Sequence, residues 1–287
     1  MNQAFFDYTL NYNWDMTPVD RSLDPDKMQK YLMQLPKPDC SFVQDLLNKT
    51  TYVPYLEFKS ALLQSFELFK QAIRSEEFYL KLINGKIGSE HWLTALLWSQ
   101  LKLLNLKQII SEETVIPVPS DGTKINIVII DDAIYTGNNT LAKMDELTDR
   151  LSTSLQISVA EIEKHLKFHI VVPYVSRFGL NAISDFSNTC KTYSIHYPPS
   201  LTNLVDISKY YPNDIENTLY SKFRIEIAEM PAIYFDHKVA YSMSTFSDVY
   251  LYGHYANQTA YGSLFKVNPS REKIEQLALL YKNWCNK

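Results

Sequence analysis

The stretch that most narrows what this chain can fold into runs from Lys124 to Leu141: Lys-Ile-Asn-Ile-Val-Ile-Ile-Asp-Asp-Ala-Ile-Tyr-Thr-Gly-Asn-Asn-Thr-Leu. Apolar, mostly β-branched residues fill Ile125 to Ile130, with only Asn126 interrupting. That is the pattern of a strand covered on both faces, as in a parallel sheet. The run stops at Asp131 and Asp132, passes through a small turn-forming segment and resumes at Leu141 with the apolar spacing of a helix, to Leu151. A strand, a polar turn and a helix in that order aim the unpaired N–H groups and positive dipole end of the helix at an anion. Gly137 lets the backbone approach closely, and Thr136 and Thr140 add hydroxyl donors. Two carboxylates at the strand end can accept from sugar hydroxyls or hold a hydrated Mg2+. The same residues also suit an α/β protein whose buried strand merely happens to end in two acids.

The segment Asp131-Asp-Ala-Ile-Tyr-Thr-Gly-Asn-Asn-Thr140 resembles the phosphoribosyl-pyrophosphate (PRPP) signature of type I phosphoribosyltransferases. That signature is a hydrophobic run, Asp-Asp, two mostly apolar residues, Thr or Ser, Thr, Gly, a small residue and Thr. The resemblance implies an α/β fold, a parallel sheet flanked by helices. It implies Asp131 and Asp132 on the ribose 2- and 3-hydroxyls, and Tyr135, Thr136, Gly137, Asn138, Asn139 and Thr140 around the 5-phosphate. It also implies Mg2+ as cofactor, offsetting the pyrophosphate charge and reached from Asp131 and Asp132 through water or ribose. This chain departs from the signature at Tyr135, where a small hydroxyl residue is usual, and at Asn139, where Thr is usual and Thr140 follows one place late. Tyr135 together with Phe235-Asp-His-Lys238 is similar to a divergent phosphoribosyltransferase-like branch of bacterial conflict and phage-defence loci, some members standing beside retron reverse transcriptases. That likeness implies an antiviral, toxin-like effector acting on nucleotide pools, the other use of the same reaction being a transferase of nucleotide metabolism.

The remaining segments are expected in an order that suits the same family. Residues 1–75 read as a helical N-terminal extension with helices near 24–35, 41–47 and 55–73, their apolar stripes serving as core or packing surface. Residues 76–287 read as the α/β domain. A strand over 77–83 leads into the loop Asn84-Gly-Lys-Ile-Gly-Ser-Glu90, with Ser89 as N-cap of a helix over 91–106 that is apolar on one side. The resemblance makes Gly85, Lys86, Gly88 and Ser89 the pyrophosphate loop. After a short strand at 107–110, residues 112–123 are either the family's mobile flap or an ordinary Pro-rich surface loop. Ser158-Val-Ala-Glu161 is a capping box opening a helix to about 166. A strand over 168–175 delivers Arg177 to the ligand edge, as a phosphate or base contact or simply as a solvated arginine. A helix over 180–186, a strand over 192–197 and a hood insertion near 198–230 follow. A last strand at 232–235 runs into Asp236, placed to orient or deprotonate a nitrogen nucleophile, and Lys238, placed to bind a carbonyl or phosphate. His237 reads as a packed or surface histidine. Residues 270–287 form an amphipathic helix.

Composition excludes more than it assigns. A net charge of -4 without a Lys/Arg stripe argues against a nucleic-acid binder. Three cysteines, far apart and without metal-ligand spacing, read as reduced thiols of a cytoplasmic protein, and neither a signal peptide nor a membrane span is expected. The expected partner is a phosphorylated sugar or nucleotide, with a protein partner on the N-terminal extension and an oligomer compatible with the sequence. The implied reaction is transfer of phosphoribose from PRPP to a nitrogen nucleophile, a nucleobase or nucleotide-like acceptor, releasing pyrophosphate. The competing reading is a non-catalytic module of the same fold that senses a nucleotide or holds a partner protein.

Overall fold

The computed structural model describes Gln29, residues 32–33, 39–49, 51–53, 55–82, 89–110, 114, 116–119, 122–135, 137–187, 192–198, 204–206, 229–231 and 233–235. In chain order the elements are α1 (Asp39–Lys49), β1 (Thr51–Val53), α2 (Tyr55–Ile73), β2 (Phe78–Lys81), α3 (Ser89–Leu101), β3 (Leu106–Ile110), β4 (Ile125–Ile130) and α4 (Asn138–Leu155). Then come α5 (Val159–His165), β5 (Leu166–Val171), α6 (Arg177–Ser187), β6 (Thr192–His196), β7 (Leu204–Asp206), β8 (Glu229–Pro231) and β9 (Ile233–Phe235).

Five strands form one all-parallel sheet in the order β3-β2-β4-β5-β6. Every residue of β4 is buried, Asn126 included, as a central parallel strand covered on both faces requires. Its side chains alternate between two cores. Ile125, Ile127 and Ile129 pack with Met144, Leu147 and Leu151 of α4, Ile162 of α5 and Ile183 of α6. On the opposite face Phe69 of α2 lies edge-on to Phe78, His169 and His196, with ring centroids 5.3, 5.6 and 5.7 Å away. Ser65, one turn earlier, donates to the Val172 carbonyl at 2.8 Å, so α2 is fixed to the sheet by a buried hydrogen bond as well as by aromatic contact. The sheet is therefore flanked by helices, the α/β class that the β4 stretch implies.

That second face also holds a buried polar chain. The Asn126 amide donates to Glu76 Oε2 at 3.0 Å and the Glu77 carbonyl at 3.1 Å. Its oxygen must then accept from His169 Nε2, 3.2 Å away, which leaves His169 Nδ1 to accept from His196 Nε2 at 3.0 Å. Burial holds both imidazoles neutral, pushing His169 down to about 3, aided by His196 and Lys167, and His196 down to about 4, aided by Lys167.

Several elements differ from expectation. The helix expected over 91–106 starts at Ser89 and ends at Leu101, because residues 102–105 turn back to feed β3 and leave Leu103 80% exposed. It is buried nearly all round, Glu90, His91 and Thr94 included. The strand expected over 168–175 stops at Val171, and Val175 makes only an isolated bridge to Ile134. The last strand lies outside the five-stranded sheet: Ile233–Phe235 pairs in parallel with Thr51–Val53. Of the proline-rich segment, Ile116 is buried in the α4-side core and Val118 packs against it. The helices expected near 24–35 and 270–287, and most of the 198–230 insertion, lie outside the described residues.

The described chain divides into two compact units, one built from residues 59–198, the other from residues up to Phe58 and from Leu204 on. The sequence expectation placed a boundary near residue 75. The first unit holds the five-stranded sheet. The second holds the β1·β9 pair and the antiparallel β7·β8 pair, in which Val205 faces Met230.

Candidate functional site

In the five-stranded sheet β3 lies on one side of β2 and β4 on the other, so the winding reverses between β2 and β4. The crevice beyond the carboxyl ends of two such strands is where open α/β sheets bind ligands. Asp131 and Asp132 stand there. The Asp131 N–H extends the ladder by one bond, donating to the Val171 carbonyl at 3.1 Å, so its side chain is aimed by the sheet rather than by a loop.

The Asp131 carboxylate is held from three sides. Oδ1 accepts from Ser89 Oγ at 2.7 Å and from the Asp132 N–H at 2.9 Å; Oδ2 accepts from Lys143 Nζ at 2.8 Å. Lys143 also lies 3.8 Å from Glu90 Oε2, and His91 Nδ1 lies 3.3 Å from Glu90 Oε1. Asp132 is fully buried and its Oδ1 accepts from the Ala133 N–H at 2.9 Å, which shapes the turn. Burial disfavours the Lys143 ammonium, but Asp131, Glu90 and Asp132 outweigh it and hold the pKa above the usual lysine value. Burial likewise works against the Glu90 carboxylate, yet His91 and Lys143 bring its pKa below the ordinary range. One turn along α4, Glu146 accepts from Lys81 of β2, a buried lysine, at 2.8 Å.

The turn after the acid pair is clamped from the next loop. Ile134 N donates to Tyr174 O at 2.9 Å and Ser176 N to Ile134 O at 2.8 Å. Ser176 Oγ donates to the Tyr135 carbonyl and accepts from Gly179 N at 2.9 Å. The fit is close: a Cβ at Gly179 would stand 2.6 Å from Ile134 Cγ2 and 3.0 Å from Tyr135 O. Gly137 has φ +83° and opens α4 with no side-chain cap, so the first N–H groups of that helix receive nothing from the capping position. Asn138 and Asn139 are exposed at this helix start, Thr140 is buried, and Tyr135 is half-buried.

Asp131, Asp132, Ser89 and the 133–140 turn are thus brought to one crevice. Ser89, expected as an N-cap, is instead the first residue of α3 and its hydroxyl serves Asp131. Arg177, the first residue of α6, is exposed. Gly85, Lys86, Gly88, Thr136, Asp236 and Lys238 lie outside the described residues. Sequence reading missed Glu90, Lys143, Ser176 and Gly179. Lys143 did leave a signal: it falls between Thr140 and Met144 in the buried stripe of α4, where a charge has no place unless paired.

Direct coordination of Mg2+ by Asp131 does not fit these residues. Mg2+ needs about 2.1 Å to oxygen in a near-octahedral shell, whereas Oδ2 is taken by an ammonium and Oδ1 by two donors. Among the described residues no group of three or more His, Cys, Asp or Glu is placed to hold a metal ion.

No protein-family model matches the chain, and no curated protein matches it. Among solved structures, the chain is similar to the AQ2163 protein of Aquifex aeolicus, at 12% identity and a TM-score of 0.30, over 56% of this chain and 84% of that one. It is also similar to adenine phosphoribosyltransferase of Saccharomyces cerevisiae, solved with D-2,5-dideoxy-2,5-imino-altritol 1,6-bisphosphate and adenine, at 14% identity and a TM-score of 0.27, over 54% of this chain and 98% of that one. TM-scores this low leave both fold and site to be argued from this chain's own residues. Among the described residues no helix is long and apolar enough to cross a membrane.

Proposed function

We propose that the crevice binds a phosphoribosyl ligand and that the protein transfers phosphoribose from PRPP to a nitrogen nucleophile with release of pyrophosphate. The observation that carries this is the acid pair at the winding reversal, followed directly by a turn that ends in an uncapped helix N-terminus. An anion and a polyhydroxyl group within one small molecule match those two features, a phosphate at the helix start and a sugar at the acids.

In this reading Asp131 is the sugar contact. A carboxylate offers about four lone-pair sites; three are taken by Ser89, Lys143 and the Asp132 N–H, which leaves one for a ribose hydroxyl. Asp132 positions the turn through Ala133. The anomeric C–O bond to pyrophosphate breaks, the C–N bond forms, and the ring carries positive charge between the two events. Fixed carboxylates near that charge stabilise it without reorganising. Asp236 and Lys238, expected from the sequence at the nucleophile and the acceptor, lie outside the described residues and carry no part of this reading. Mg2+ enters only as a counter-ion of the substrate's pyrophosphate. An effector role in phage defence rests on the likeness of Tyr135 and Phe235-Asp236-His237-Lys238 alone.

Calorimetry with PRPP, paired with pyrophosphate release on adding nucleobases or cell extract, tests the proposal. Binding and release that Asp131→Asn abolishes are expected; retention of both in that variant would refute it. The second reading, a ligand-sensing module without turnover, is favoured by the internal ties on both carboxylates, and predicts binding without release.

A further inference from the structure

Two positive charges cannot share one buried carboxylate oxygen cheaply, and at Asp131 one is already in place. Lys143 Nζ lies 2.8 Å from Oδ2 and 3.8 Å from Glu90 Oε2, and its side chain is 9% exposed. The lysine cannot swing aside into water without leaving the stripe it shares with Met144, Leu147 and Leu151, which packs on Ile127 and Ile129 of β4. Withdrawing it would also leave Asp131 and Glu90 buried without the ammonium that compensates them both. A metal ligated by Asp131 would have to share Oδ2 with the Lys143 ammonium, since the other oxygen already accepts two hydrogen bonds.

We propose that Lys143 is the resident cation of this crevice, standing at Asp131 where a divalent metal would otherwise sit. Asp131 is therefore charge-compensated before any ligand arrives, and the ribose-phosphate portion of a ligand binds without a metal on this carboxylate. Lys143 is a positioning residue: it fixes which Asp131 lone pair faces the sugar, while Ser89 fixes the other oxygen. The sugar-binding part of this inference rests on the phosphoribosyl reading; the exclusion of a metal does not.

The two parts separate experimentally. Wild-type protein is titrated with a few equivalents of Mn2+, watching paramagnetic broadening of the His91 ring, which lies beside Glu90. No broadening is expected in wild type, and strong broadening in Lys143→Gln, because removing the ammonium opens Asp131 and Glu90 to a metal. Lys143→Arg, which keeps the charge, should behave as wild type. Broadening in the wild type that Asp131→Asn removes would overturn the proposal, and this arm needs no Lys143 variant to fold. In the second arm, ribose 5-phosphate is titrated by calorimetry with Mg2+ or with chelator. An affinity unchanged by chelation is expected in wild type, with a loss of about tenfold in Lys143→Gln that Mg2+ partly restores. A wild-type affinity that falls by about tenfold on chelation would also overturn the proposal. If wild-type protein fails to bind ribose 5-phosphate at all, the phosphoribosyl reading fails, and the Mn2+ arm still decides the role of Lys143.

Discussion

The five-stranded sheet buries polar groups on both of its faces and settles them in opposite ways. At its carboxyl edge, Lys143 lies between Asp131 and Glu90, at 2.8 and 3.8 Å, and the opposite charges hold Lys143 protonated and Glu90 ionised. On the α2 face, Asn126, His169 and His196 form a chain in which each member donates in turn and the two imidazoles are neutral. The difference follows from the partners. Beside Phe69 and Phe78 a histidine has no carboxylate to offset its charge, so burial expels the proton. Lys143 has two acids within reach, and they hold its proton in place. A region whose ammonium and carboxylates lie within reach of one another can keep charge inside the fold, whereas a region of aromatic packing cannot.

The comparison breaks most readily at Lys143. Lys143→Met should lower unfolding free energy by about 3–5 kcal/mol, because it strands buried carboxylates, and adding Asp131→Asn should recover part of the loss. Urea titration of the single and double variants measures both. A single variant as stable as wild type would show that the charges are not dependent on one another.

Acid should separate the two regions at a smaller cost. Burial pushes the folded-state His169 and His196 down to about 3 and about 4, from the ordinary imidazole value of 6.5. Their contribution is present above pH 6.5 and is lost as pH falls from there toward those folded values, because the unfolded chain binds the protons first. Glu90, lowered from 4.5, contributes stability above that value and loses it only as pH falls through its lower folded pKa. Lys143, raised from 10.5, contributes fully below that value and loses it as pH rises through its higher folded pKa. Between pH 6.5 and 5.5 the histidines alone should therefore cost about 1–2 kcal/mol, allowing for some screening by water. Denaturation curves at the two pH values test this, and His169→Phe should remove about half of the difference. An unchanged slope in that variant would place the titration elsewhere.

The smallest effect calibrates the others. Ser158, the N-cap of α5, accepts from Glu161 N at 3.2 Å. It lies away from both regions, and Ser158→Ala should cost about 1 kcal/mol with no change in acid slope or metal response.

What could be read from sequence was what neighbouring residues decide. β4 was legible to the residue because five apolar positions and one asparagine between a lysine and two acids admit little else. The bounds of α2, Tyr55 to Ile73, followed from apolar spacing. The capping serine of α5 was likewise visible, although Glu161 turns its side chain to Lys164 and His165 rather than back to Ser158. Contacts that depend on crossovers were not legible. Ser89 and Lys143 meet Asp131, and Glu90 meets Lys143, only once β2, α3 and α4 are laid around β4, and nothing local says that they will. The pairing of Ile233 with Thr51 is more distant still, and nothing near the last strand says which strand it joins.

That pairing bears on how the chain is made. Thr51–Val53 leaves the ribosome before any strand of the five-stranded sheet, and its partner Ile233–Phe235 follows all of them. During synthesis the early strand must wait with an unpaired edge while the sheet, built from one continuous run of chain, can close. Closing so long a loop is slow, because its entropy is lost before any contact compensates. A nascent chain halted before residue 233 would therefore carry a finished sheet beside a strand still open to whatever other edge it meets.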